Sequence, residues 1–334
     1  VVYDTTDISV GTSAEGNKIV QCTEDGSQFV FFEKIGRGSY SKVIRCERRW
    51  NEGETVKSWQ YAVKMMHKGM LHKQRCVIYD EDNQMIFTNN LDKVLTEVAV
   101  WRQLCHKNVV RLYEVINDSR HENLYLIIEL CDFGQVMTWN TDEQRYIANP
   151  RIEAALKTKH PELFERTKEA AAKLIYRQVG EGLKYLHSPE KRVVHRDLKP
   201  DNILFASWDD TVKITDFTVA KQLSRPLKPV YDPCGTVPFQ SPESMISGTG
   251  YIAELADVWS MGICIYAYLA EGRLPFWNSE SEIQTQLQIQ HKEPEFPASF
   301  SEDLVELLKG LLHKDPGARL TLDEALEHAW FKLD

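Results

Sequence analysis

Val194-His195-Arg196-Asp197-Leu198-Lys199-Pro200-Asp201-Asn202 is the stretch on which the reading of this 334-residue chain turns. It sets a carboxylate, an amine and an amide close together in what its proline and polar residues mark as a loop. Nineteen positions beyond Asp197, the strand-like run Thr211-Val212-Lys213-Ile214-Thr215 leads into a second carboxylate, Asp216, followed by Phe217. That inventory suits phosphoryl transfer from ATP, which asks little covalent chemistry of a protein. Asp197 would orient the attacking hydroxyl as base, and Lys199 would place a cation beside the transferred phosphate. Asn202 and Asp216 would give oxygen ligands to magnesium, Asp216 the stronger because it is charged. An ordinary polar loop is the alternative, and a string this long and specific excludes it.

Composition narrows the setting. With 43% hydrophobic and 27% charged residues, the chain has the make-up of a globular protein, and its length fits two lobes better than one small core. No stretch approaches the ~20 uninterrupted apolar residues of a membrane span; the most apolar segment, Val258 to Ala270, reads as a buried helix. The first residue is Val1 and no charged-then-apolar leader follows, so no signal peptide is expected. Seven cysteines without a C-x-x-C pair argue against a zinc site or a disulfide framework, and favour a reducing compartment, the cytoplasm. A net charge of −9 disfavours nucleic acid or anionic membrane as the main partner.

Patterning divides the chain into three. Residues 1–27 are polar and without a sustained period, and read as an extended lead-in. Residues 28–131 carry short alternating runs that predict strands at Phe29 to Ile35, Lys42 to Cys46, Trp59 to Met65, Leu112 to Val115 and Leu124 to Glu129. One helix interrupts them, with Leu95, Val98, Trp101 and Arg102 marking its faces and Asn90 or Asp92 as its cap. Residues 132–334 are helical in pattern, with helices expected through Leu174–Leu186, Ala256–Ala270, Ser281–Gln290, Ser301–His313 and Thr321–His328. The segment from about 141 to 165 is longer than a connection needs and reads as a surface insertion.

Further motifs accompany the loop. Ile35-Gly36-Arg37-Gly38-Ser39-Tyr40-Ser41-Lys42-Val43 lies between two strands, and glycine at 36 and 38 lets backbone N–H groups approach phosphates. Alone, such a turn is more often a plain hairpin. Tyr61-Ala62-Val63-Lys64 sets a lysine on an apolar strand, where a solvated edge lysine is the bland alternative. A buried Lys64 would need a carboxylate, and Glu97 on the first helix can supply it.

In order and content, Lys64, Glu97, Asp197, Asn202 and Asp216 resemble the eukaryotic protein kinases over roughly residues 28–331. The resemblance implies an α+β bilobal fold, with a small strand-rich lobe bearing one regulatory helix and a larger helical lobe. It implies ATP and Mg²⁺ as cofactors, with Lys64 on the α- and β-phosphates and Glu97 holding Lys64. Ile128 would stand behind the adenine, the backbone of Glu129 and Cys131 would meet its edge, and Val43, Ala62 and Leu204 would sandwich the ring. Gln135, just past the hinge, joins these nucleotide-site positions; it also stands where arginine-directed kinases carry a glutamate. Ser41 replaces the usual third glycine of the phosphate loop.

Gly235-Thr236-Val237-Pro238-Phe239-Gln240-Ser241-Pro242-Glu243 resembles the segment that cradles the acceptor backbone. There Thr236 would bridge Asp197 and Lys199, which marks a serine/threonine enzyme, and Glu243 would pair with Arg319. Asp216-Phe217-Thr218 departs from the usual Asp-Phe-Gly, since threonine lacks glycine's freedom at positive φ. That single departure is what a pseudokinase, a binding module without transfer, would have in its favour. Trp101, one turn beyond Glu97, is unusually large for its place.

At subfamily level the chain looks like the calcium/calmodulin-dependent protein kinase kinases. Gly38-Ser39-Tyr40, Lys64-Met65-Met66-His67-Lys68, Glu97-Val98-Ala99-Val100, His106-Lys107-Asn108-Val109-Val110-Arg111-Leu112 and Gly134-Gln135-Val136-Met137 carry this likeness. Lys64 and Glu97 stand 33 positions apart, a long connection that this subfamily shares, although its arginine- and proline-rich insert is not matched here. The likeness implies protein substrates, other kinases among them, and calmodulin as a partner through a tail absent from this chain. The alternative is a calmodulin-dependent-group kinase with ordinary peptide substrates. Asp232, four residues before Thr236, stands where switchable kinases are phosphorylated. A permanent carboxylate there facing Arg196 would order the loop without phosphorylation, leaving Ser224 and Tyr231 as candidate sites.

Overall fold

The structure, a computed structural model, describes residues 2–38, 40–79, 84–246 and 248–332. It divides into two compact units, Val1–Ile78 with Ile86–Leu104 and Val110–Cys131, and Tyr79–Met85 with Cys105–Val109 and Asp132–Asp334.

The first unit is built on strands β1 (Tyr3–Thr5), β2 (Ile8–Thr12), β3 (Lys18–Cys22), β4 (Gln28–Arg37), β5 (Ser41–Glu52) and β6 (Thr55–His67). Helix α1 (Lys68–Lys73), strands β7 (Arg75–Tyr79) and β8 (Met85–Asn89) and helix α2 (Asn90–Trp101) lead on to β9 (Leu112–Ile116) and β10 (Asn123–Ile128). One sheet runs in the order β1-β9-β10-β6-β5-β4-β3-β2. Aromatic and β-branched residues recur at alternate positions, so Phe29, Phe31, Cys46, Val63, Tyr125 and Ile127 gather on one face as its core.

Residues 1–27, expected as a lead-in, instead supply three strands of this sheet. β1 and β2 are consecutive in the chain yet occupy its two outer edges. The short link between them is held where Asn117 N–H donates to Thr5 O (2.9 Å) and Ile8 N–H to the Asp118 carboxylate (3.0 Å). Ile8, Val20 and Cys22 enter the same core. The N-cap of helix α2 stands one residue before Asn90 and three before Asp92, the expected caps. Asn89 is the N-cap, its Oδ1 accepting from Leu91 N (3.0 Å) and Asp92 N (3.1 Å).

The second unit opens with β11 (Gly134–Gln135), a hairpin of β12 (Met137–Asn140) and β13 (Arg145–Ala148), then α3 (Pro150–Lys159) and α4 (Pro161–Arg166). The segment read as an insertion therefore holds half of a hairpin and two helices. Next come α5 (Ala170–His187), β14 (Val193–Val194), β15 (Ile203–Ala206), β16 (Thr211–Ile214), β17 (Lys221–Gln222), β18 (Pro229–Val230) and β19 (Tyr251–Ile252). Helices α6 (Ala253–Leu269), α7 (Glu282–His291), α8 (Glu302–Leu311) and α9 (Leu322–Glu327) complete it. α5 buries one stripe, Leu174, Ile175, Val179, Leu183 and Leu186, while α6 is buried nearly all round. No helix among the described residues is long and apolar enough to cross a membrane.

Candidate active site

Helix α6 fixes the loop that follows β14. Its buried Asp257 accepts the His195 N–H and the Arg196 N–H, both at 2.8 Å, and lies 2.9 Å from His187 Nε2. Burial pushes the Asp257 pKa up, but the hydrogen bond and charge of His187, and the bonds from the loop, outweigh it and leave the carboxyl below its ordinary value. A permanent anion thus holds the loop from inside the helical core. The loop in turn bends through Arg196 at φ +65, a left-handed conformation unfavourable for a side chain of that size.

Asp197 projects from that bend into a compact set of partners. Its Oδ1 accepts from Thr236 N (2.8 Å) and Thr236 Oγ1 (2.7 Å), and its Oδ2 lies 3.1 Å from Lys199 Nζ. Lys199 also donates to Thr236 Oγ1 at 2.7 Å, closing a triangle of carboxylate, ammonium and hydroxyl. Gly235, at φ +92, makes this approach possible: a Cβ there would sit 2.4 Å from Arg196 O. An ionised carboxylate with a cation beside it can orient an incoming hydroxyl and balance charge passing to a phosphate.

The β15–β16 hairpin brings Asn202 and Asp216 to one end, because Ile203 pairs with Ile214 and Thr215 N–H donates to Asn202 O (3.0 Å). Asn202 Nδ2 donates to Asp197 O at 2.8 Å, so the ligand atom it would offer a metal is Oδ1. Asp216 stands at φ +64, and the Thr218 hydroxyl donates to its Oδ1 at 3.0 Å. The sequence reading treated Thr218 only as a lost glycine; the hydroxyl is a hold on the carboxylate, and threonine's donor was the available signal. A carboxylate oxygen and an amide oxygen are hard donors that suit Mg²⁺, which completes its shell with water and phosphate.

In the first unit, strand register sorts the expected positions onto one sheet face. Val43 pairs with Lys64 and Ala62 with Ile128, while the intervening Ile44, Val63 and Ile127 face the core. Val43, Ala62, Lys64 and Ile128 therefore share the opposite face. Glu97 is buried on α2. Trp101, one turn on, is 3% exposed and donates its indole N–H to Val110 O (2.7 Å), which pins the end of α2 to the chain entering β9. The turn between β4 and β5 pairs Gly36 with Val43 and Arg37 with Lys42, with Gly38 N–H donating to Ser41 O (3.0 Å). Ile35 and Tyr40 are exposed beside it, and Ser39 lies outside the described residues.

At the end of β10, Glu129 N–H donates to Arg111 O (2.9 Å), so this residue could meet a base edge through its carbonyl and not its N–H. Cys131 is buried two residues on. Leu204 pairs with Gln135 across β11 and β15, and Gln135 Nε2 donates to Asp201 O (3.1 Å).

The segment after β16 is tied back to the loop. Arg196 Nη1 meets Asp232 Oδ2 at 2.9 Å, Lys221 Nζ reaches Asp232 Oδ1 at 3.4 Å, and Arg196 Nε donates to Val219 O at 2.8 Å. Further along, Glu243 and Arg319 pair bidentately at 2.7 and 2.8 Å.

Known proteins share this pattern. Residues 29–331 match the family described as "Protein kinase domain". Over 330 residues the chain is 32% identical to a "Probable serine/threonine-protein kinase" of Dictyostelium discoideum, covering 95% of this chain and 39% of that one. It is 32% identical over 329 residues to the serine/threonine-protein kinase GRIK1 of Arabidopsis thaliana, covering 98% and 71%. It is 30% identical over 320 residues to a calcium/calmodulin-dependent protein kinase kinase of Caenorhabditis elegans, covering 92% and 53%. The chain thus spans about two fifths, seven tenths and half of these relatives. With a strand-rich unit followed by a helical one and that match across nearly its whole length, the chain belongs to the protein kinase family and is a serine/threonine kinase.

Proposed function

We propose that this enzyme is an upstream kinase, passing the γ-phosphoryl group of Mg-ATP to hydroxyls in the activation loops of other kinases. Asp197 orients the acceptor hydroxyl, Lys199 and Thr236 steady it and the transferred phosphate, and Asn202 and Asp216 take the metal. Lys64, held by Glu97, takes the α- and β-phosphates, and the turn from Ile35 to Val43 covers them. Val43, Ala62 and Ile128, with the backbone of Glu129 and Cys131, receive the adenine. The observation that carries the reading is the Asp197–Lys199–Thr236 triangle, whose contacts all lie between 2.7 and 3.1 Å.

Two features support the choice of acceptor. The C. elegans relative's name makes it a kinase of a kinase. Gln135 offers no carboxylate to an arginine, and its side chain is engaged with Asp201 O and with the Thr138 hydroxyl at 3.4 Å. Kinship with that group would also bring calmodulin as a partner, through sequence beyond these 334 residues, and a cytoplasmic setting.

The test compares a catalytically inert folded kinase, bearing an activation-loop threonine, with Arg-x-x-Ser peptides. A tenfold or greater advantage in kcat/KM for the folded kinase is expected. Asp197→Ala should lower kcat by about 10²–10⁴-fold while Mg-ATP still binds. Equal use of the short peptides would overturn the upstream role, and full activity of the variant would overturn the part given to Asp197.

A further inference from the structure

The β12–β13 hairpin lies outside every role described so far, yet it touches the loop that carries Asp197. Tyr146 on β13 donates its hydroxyl to Asp201 Oδ2 at 2.7 Å, one residue before Asn202. Burial, then the negative charge of Asp201, pushes the Tyr146 pKa up, so the phenol keeps its proton and acts as donor. The same ring stands 5.9 Å, edge-on, from Phe239 in the segment that follows Thr236. One side chain thereby joins both chain segments that would line an acceptor polypeptide.

The hairpin is held hard in that position. Tyr146 N–H donates to Gly272 O at 2.9 Å, Arg145 Nη1 to Glu271 O at 2.8 Å, and Asn149 Nδ2 to Phe133 O at 2.8 Å. Gly272, at φ +84, lies so close that a Cβ there would fall 1.6 Å from Tyr146 O. A mere surface insertion would not need such an approach. Cross-strand pairing puts Trp139 opposite Tyr146 and Thr138 opposite Ile147. Trp139 therefore shares the Tyr146 face, 5.1 Å from that ring, and continues to Trp277 at 5.7 Å. Both tryptophans are half-buried, so an aromatic shelf runs outward from Phe239 with faces left for a ligand.

We propose that this hairpin reads the acceptor: Trp139 and Trp277 form a subsite for an apolar side chain near the acceptor hydroxyl, and Tyr146, by occupying Asp201, withholds that carboxylate from basic side chains. The occupant is the acceptor polypeptide, because the shelf is continuous with the loop bearing Asp197 and with the segment bearing Thr236. Aromatic faces supply large contact area at low entropic cost. A carboxylate already bound to a phenol has less to offer a guanidinium, which would have to displace the phenol or share the site. This inference rests on the kinase reading above and names the acceptor chemistry of the same site.

The test uses threonine peptides in which each of the four positions on either side is set in turn to Leu, Ala or Arg. The whole chain should favour Leu over Ala at one or more positions, by about tenfold in kcat/KM. Trp139→Ala should abolish that preference through the acceptor KM, leaving the KM for Mg-ATP within about twofold. Trp277→Ala, on a different element, should do the same, and keeps the test standing if the first variant unfolds. Tyr146→Phe should raise the Arg-to-Ala ratio several-fold. Wild type without a leucine preference, tryptophan variants that keep it, or variants that lose all peptides alike together with Mg-ATP affinity would each overturn the subsite. Wild type that transfers to no acceptor of any kind would overturn the kinase proposal itself, and the subsite with it.

Discussion

Two arginine–carboxylate pairs in the helical unit use the same chemistry to different ends. Arg319 is enclosed, its side chain 0% exposed; it grips both oxygens of Glu243 and also donates to Leu255 O (2.9 Å) and His313 O (3.1 Å). Its guanidinium lies 5.1 Å from the centre of the Trp259 ring. Arg196 meets one oxygen of Asp232, whose side chain is 20% exposed, and the other oxygen goes to Lys221. The first pair has four of its guanidinium donors occupied, with the arginine fully covered and only 14% of the Glu243 side chain exposed. The second has an anion shared between two cations near the surface, where one charge can be exchanged for another. An ion pair so enclosed is a fixed joint, whereas one with an accessible anion can be a latch.

Breaking the joint should have the largest effect. Arg319→Ala leaves the largely covered Glu243 without its cation and Leu255 O and His313 O without their donor, a loss of about 3–5 kcal/mol and a fall in melting temperature of roughly 5–15 °C. A melting curve unchanged within a degree would remove the distinction between the pairs.

Asp257 sharpens the contrast through pH. Its folded pKa lies below the unfolded value, so its contribution is complete above that value and is lost as pH falls through the folded one. Asp257→Asn should cost about 1–3 kcal/mol at pH 7, with the gap from wild type shrinking below about pH 4. Denaturant unfolding at both pH values reads it; a gap that widens in acid would mean that the carboxyl is protonated in the folded loop.

The latch should show the smallest effect on stability and a visible one on rate. Phosphatase-treated wild type, checked by intact mass, should be active, and Asp232→Ala should lose about tenfold in kcat/KM, or about 1.4 kcal/mol, with little change in melting. An inactive dephosphorylated enzyme, or a fully active variant, would leave Asp232 as an ordinary turn residue before Pro233.

What the sequence made legible follows from physics that is local. The Asp197 loop, the strands of residues 28–131 and the long helices each announce themselves within a few positions, through side-chain chemistry or a clear period. The three strands of residues 1–27 do not, because they are short and β1 and β2 each bury only one residue. The pairing of β1 is decided by a distant strand, β9, while β2 and β3 form a hairpin with each other. The β12–β13 hairpin had Trp139 and Tyr146 as strand signals, but length alone suggested an insertion. The Thr218 hydroxyl was hidden because a departure from a motif is read as a loss, and only geometry shows the bond it makes.

The addition of residues 3–22 to both flanks of the first unit's sheet bears on how the chain behaves if shortened. A chain cut at Gln28 would strip β1 from β9 and β2 and β3 from β4, so β9 and β4 would replace the short β1 and β2 as the edges of the sheet. Ile8, Val20 and Cys22 would leave Phe29, Phe31 and Ile116 without their cover. Strand edges beside bared aromatic residues are templates for pairing with other chains, so the shortened chain should self-associate more readily than the whole one.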